Sequence, residues 1–139
     1  MARSFRLVLA GAVAVLGLAG AACAHKVVFP TSPTVPAADA RAKVELDDNG
    51  NAQISLTVNH LATPDRLFPP RSVYVVWIQP PDEDGSNLGQ LRLDENLKGR
   101  IVGITPFTRF RVVITAEDEA TVRFPGSQVV LATDTIEAN

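Results

Sequence analysis

From Ala40 to Asn59 apolar and polar residues take turns. Ala42, Val44 and Leu46 are interleaved with Lys43, Glu45 and Asp47. After a DDNGN break, Ala52, Ile54, Leu56 and Val58 are interleaved with Gln53, Ser55, Thr57 and Asn59. A period of two is that of an extended strand with one face on a core and one in water. The two runs therefore predict an antiparallel hairpin. Asn49-Gly50 predicts a type I′ turn at its tip, because that turn needs positive φ at both central residues.

The pattern continues beyond a loop at residues 60–71, HLATPDRLFPPR, which holds three prolines. Val73–Gln79 is apolar on both sides, with Val73, Val75 and Trp77 alternating with Tyr74, Val76 and Ile78. A two-sided run predicts a central strand, and Pro80-Pro81 must end it, since neither can donate to a ladder. Further strands are predicted at Leu88–Leu93, Gly99–Thr105, Phe107–Ala116 and Val129–Ile136. In the third of these, Phe110, Val112 and Ile114 oppose Arg109, Arg111 and Thr115. Pro125-Gly126 marks a turn, and a short extra strand fits Thr121–Phe124. Glu95–Lys98 suits at most one helical turn.

Seven short strands predict an all-β fold, a single immunoglobulin-like antiparallel β-sandwich at residues 40–139. Trp77 is expected near its centre. Burial of Trp77 and of Phe110 should each stabilise the fold by a few kcal/mol.

Ahead of the strands lie two segments of different character. Met1–Arg6 carries Arg3 and Arg6 without an acid, and Leu7–Ala22 is an unbroken apolar and glycine run of 16 residues. A basic start, such a run and small residues after it predict an export signal at residues 1–22. The run is shorter than the ~20 residues a spanning helix needs, although an uncleaved anchor remains an alternative. Cys23, the only cysteine, sits in LAGAACA, which resembles the bacterial lipobox with Gly20 in place of the usual leucine. The resemblance implies lipid attachment at Cys23. Cleavage after Ala24, using Ala22 and Ala24, is the rival. Residues 23–39 hold three prolines and are expected as an extended tether, with an edge strand at Val27–Phe29 as the alternative.

Removing Arg3 and Arg6 from 13 basic residues leaves 11 against 15 acids, a formal charge of −4 from Cys23 onward. That balance argues against general nucleic-acid or anionic-membrane binding.

YVVWIQPPDEDGSNLGQL, TPFTRFRVVITAEDE and RFPGSQVVLA, in that order, resemble the extracytoplasmic C-terminal domain of anti-sigma-K-type regulators. The matching residues are Tyr74, Trp77, Pro80, Leu88, Gly89, Glu117, Pro125, Gly126 and Val129, within residues 70–133. The resemblance implies a β-sandwich outside the cytoplasmic membrane. It does not extend to the cytoplasmic, often zinc-binding helical domain of those regulators, so the sigma-binding role is not carried over.

Side-chain chemistry adds little. Asp82–Asn87 departs from the EF-hand spacing, with Asn87 at the glycine place and Leu93 at the glutamate place, and reads as a solvated turn. His25 lies in the expected tether and His60 at a strand end, so no metal or Ser-His-Asp set assembles from sequence. Asp118 and Glu119 follow a strand and read as solvated. Lys98, Arg100, Arg109 and Arg111 would form a face for an anionic partner if their two strands pair. Phe68 is a candidate contact point. These readings predict no catalytic residue, no metal and no cofactor. They predict an exported, lipid-anchored module that binds or scaffolds at the bacterial cell envelope, with an envelope protein or glycan as partner. An extracytoplasmic sensory or regulatory domain is the alternative.

Overall fold

The computed structural model describes residues 23–139, and the expected signal peptide lies outside them. The chain forms β1 (His25–Val28), β2 (Asp39–Leu46), β3 (Ala52–Asn59), a 3-10 turn at Pro64–Arg66, β4 (Val73–Gln79), β5 (Ser86–Leu91), β6 (Gly99–Thr105), β7 (Arg109–Glu117), β8 (Val129–Ala132) and β9 (Ile136–Glu137). Sheet I has the order β1-β2-β3-β6. Sheet II has the order β5-β4-β7-β8, with β9 on β7. Every pair is antiparallel. The two sheets pack face to face as a β-sandwich. The predicted seven strands are β2 to β7 and a last run that Thr133–Thr135 splits into β8 and β9.

The alternation seen in the sequence builds the interior. Ala42, Val44, Ile54, Leu56 and Val58 of sheet I meet Tyr74, Val76, Ile78, Phe110, Val112 and Ile114 of sheet II in one buried cluster. Glycines at 99 and 103 let the sheets close at the β5–β6 corner. A Cβ at Gly99 would stand 2.9 Å from Leu91 Cγ, and one at Gly103 would run into the Leu88 side chain.

Three expectations change. Trp77 is buried, but not between the sheets. It points out of sheet II with Val75 and Val113 and forms a second cluster, covered by Val122. The cause is parity: Tyr74, Val76 and Ile78 claim the inner face of β4, so Trp77 faces the other way. The covering layer is the 118–128 loop, where Thr121–Phe124 forms no strand. The segment expected as a tether carries an edge strand. β1 pairs with β2, Lys26 opposite Lys43, and Phe29 and Val35 enter the core at 6% and 5% exposure. Pro30, Pro33 and Pro36 prevent a longer ladder, while the Ser32 hydroxyl accepts the Thr34 and Val35 amides at 3.2 and 3.3 Å. The β2–β3 hairpin is as predicted, but its tip is not a two-residue turn. Leu46 pairs with Ala52 across five residues. Asp47 Oδ1 accepts the Asn49 and Asn51 amides at 2.8 and 2.9 Å, and only Gly50 has positive φ, +78°. The Asn51 amide, which outweighs an opposing desolvation effect, and then the Asn49 amide and Asn51 side chain hold the Asp47 carboxyl below the usual carboxylate range.

Candidate functional site

The four predicted basic residues do not share a face. β6 pairs with β3, whereas β7 pairs with β4, because the Pro106–Thr108 connection crosses from one sheet to the other. Arg100 projects from sheet I, and Lys98 just precedes β6 on the same side by alternation. Arg109 and Arg111 project from sheet II, on the opposite side of the sandwich. Arg109 meets Glu137 at 3.5 Å, and Arg111 Nε donates to the Thr133 carbonyl at 3.0 Å, where it holds the β8–β9 break.

A different set of cations converges on the outer face of sheet I. The register aligns Val28, Arg41, Thr57 and Arg100 in one row across β1, β2, β3 and β6, and Lys26, Lys43, Ser55 and Val102 in the next. Neighbouring strands are ~4.8 Å apart, so Arg41 and Arg100 flank Thr57 from backbones ~10 Å apart. Lys26, Arg41, Lys43, Ser55, Thr57 and Arg100 surround a concavity of about 440 Å³. Its floor is β3, whose outward side chains Gln53, Ser55, Thr57 and Asn59 are uncharged hydrogen-bonding groups. Arg41 and Lys43 of β2 and Arg100 of β6 stand on either side of Ser55 and Thr57, making a short trough at that part of β3.

The charges of this face are only partly matched. Arg41 meets Asp39 at 3.2 Å and Lys43 meets Glu45 at 2.8 Å. Such exposed pairs contribute ~0–1 kcal/mol and exchange readily for another anion. Among the described residues Lys26 and Arg100 form no ion pair. Four cations against two acids make the face positive on a chain whose formal charge is negative, and such a patch focuses the field on an approaching anion. Lys26 escaped the sequence reading because its segment read as tether. Lys43 was legible as an outward residue, but not as a neighbour of Arg100.

Other candidates stand apart. His60 is exposed in the left-handed region, φ +54°. Asp82, Glu83 and Asp84 border a shallow, open depression, and among the described residues no group of three or more His, Cys, Asp or Glu could hold a metal ion. Cys23 is exposed and free, two residues before β1. Phe68 is 99% exposed on a loop held by Arg71, which donates to Gln128 at 2.8 Å and Asp118 at 3.0 Å. Tyr74 donates to the Ala62 carbonyl at 2.6 Å, and burial, with the nearby Asp65 charge, pushes its pKa up to about 12.

These features define the chain as an antiparallel β-sandwich with one cationic sheet face. Comparison with protein families, curated proteins and solved structures finds no match to any of them.

Proposed function

We propose that this protein is an exported, non-catalytic β-sandwich module, lipid-anchored at Cys23, that binds an anionic partner at the cell envelope through the outer face of sheet I. The observation that carries the binding role is the convergence of Lys26, Arg41, Lys43 and Arg100 around one trough. Localisation rests on the sequence: the basic start, the apolar run and the position of Cys23. The resemblance to extracytoplasmic regulator domains points to the same compartment. With Cys23 only two residues ahead of β1, an anchor there holds the sandwich close to the membrane surface.

Retention on isolated envelopes of the mature-length protein carrying Cys23→Ser, which removes the lipid anchor, tests the binding role. Retention should fall steeply as salt rises, because exposed charge pairs are screened. The Arg41→Glu/Arg100→Glu variant should be released at low salt. A variant retained like the parent, or retention indifferent to salt, rejects the cationic face. The intact mass of the mature protein separates a diacyl-modified Cys23 from an N-terminus at His25.

A further inference from the structure

We infer that the partner of the sheet I trough is an extended anionic polysaccharide, its acid groups carboxylate, sulfate or phosphodiester, lying along β3; this rests on the cationic-face reading above. Ser55 and Thr57 line the concavity, and the outward row of the same strand continues past them as Gln53 and Asn59, also hydrogen-bonding side chains on alternate residues. Alternate residues are ~6.8 Å apart, so the row runs ~20 Å, the length of an extended oligomer rather than of a single ion. The flanking cations sit on both sides of that row, Arg41 and Lys43 on β2 and Arg100 on β6. A hydroxyl-rich chain with periodic acid groups matches both parts. Its hydroxyls pair with the floor, and its acids exchange with Asp39 and Glu45 for Arg41 and Lys43 or meet Lys26 and Arg100 directly.

Two other ligand chemistries fit less well. A neutral glycan needs an aromatic platform beneath its sugar rings. The outward positions of β1, β2, β3 and β6 carry no aromatic residue, the apolar ones being Val28, Val102 and Ile104. An acidic peptide adds to a sheet through an open edge or seats apolar side chains in pockets. The row on β3 offers neither, since β3 is paired on both sides and its outward side chains are all polar; the open edge nearby, β1, is only four residues long.

The test is a titration of the mature protein with polygalacturonate and dextran sulfate, against dextran and poly-L-glutamate, at low and moderate salt. The expected result is salt-sensitive binding of at least one acidic polysaccharide, none of dextran, and poly-L-glutamate at least ~10-fold weaker, the factor that 1.4 kcal/mol represents. Arg100→Glu should weaken polysaccharide binding by ~10-fold or more, as reversal of a contacting charge does. Arg109→Glu, with the same change in net charge on the opposite face, should leave it unchanged. Ser55→Ala/Thr57→Ala should weaken the polysaccharide and not poly-L-glutamate, with the unfolding midpoint retained as the folding control. If poly-L-glutamate binds as tightly and the floor variant changes nothing, the glycan assignment is overturned while the cationic face stands as a site for acidic protein. If no polyanion binds, or Arg109→Glu acts like Arg100→Glu, both readings fall.

Discussion

Two turns of this protein have the same local hydrogen bonding and differ most tellingly at their fourth residue. In the β2–β3 turn Asp47 Oδ1 accepts the amides of residues 49 and 51. Before β6, Asp94 Oδ1 accepts the amides of Asn96 and Lys98 at 2.9 and 3.0 Å. The fourth residue is left-handed in both, Gly50 at φ +78° and Leu97 at φ +58°. Glycine adopts that conformation freely, whereas a side chain there meets the following carbonyl. Leu97→Gly should therefore stabilise the protein by about 1 kcal/mol, after allowing for the looser unfolded chain. A denaturant midpoint measures it, and an unchanged or lower midpoint would mean that the packing of the half-exposed leucine outweighs its backbone cost. The shared D-x-N spacing of DDNGN and DENLK is visible in the sequence. The two turns are recognisable as one only when their hydrogen bonds are known.

At the scale of elements, β4 and β7 are tied to the 118–128 loop by a chain of polar groups. Trp77 Nε1 donates to Thr115 Oγ1 at 2.8 Å, and the Thr115 hydroxyl donates to Glu117 Oε1 at 2.6 Å. The Gly126 amide donates to the same oxygen at 2.7 Å. A Cβ on Gly126 would stand 2.9 Å from Glu117 Oε2, so the glycine permits the close approach. Asn87 of β5 pins the other part of the loop, donating to the Ala120 and Val122 carbonyls at 2.9 and 3.0 Å. The loop thus serves as a third layer over Trp77 without regular structure. Thr115→Val keeps the shape but leaves the indole N–H without its partner, at a cost of ~1–3 kcal/mol. It should also raise amide exchange selectively in residues 118–128. Trp77 is the only tryptophan, so its emission reports the same opening. Stability lost with no change in loop exchange or emission would refute the coupling. A two-sided apolar β4 was legible as a central strand, and it does lie between β5 and β7. What covers its outer face was not legible, because an irregular lid has no period.

For the molecule as a whole, the Pro-rich segment closes one side of the sandwich. β1 forms the free edge of sheet I, and residues 30–34 lie beside β8 of sheet II, with Phe29 and Val35 in the core between. Phe29→Ala should cost about 3 kcal/mol or more, as loss of a buried phenylalanine does, while Val28→Ala, at an exposed position next to it, should stay within ~0.5 kcal/mol. Urea unfolding of both variants checks this. Equal, small effects would mean that the segment behaves as the tether its prolines suggest. Docking of β1 also brings Lys26 to the trough, so one interaction completes both the fold and the candidate site.

The sequence by itself determined the strands β2 to β7 and, where one face is polar as in β2 and β3, which side faces inward, because alternation is local and burial rewards it directly. It marked Lys43 as an outward residue for the same reason and singled out Arg100 as a candidate for a cationic face. Tertiary structure alone decided partnership: that β6 joins β3 while β7 crosses to β4, that β1 docks rather than hangs free, and that Trp77 lies under a loop instead of between sheets. Pairing depends on which distant apolar faces close best on one another. No period within a single strand records that choice, so the predicted Lys98–Arg111 face dissolved and the trough along β3 took its place.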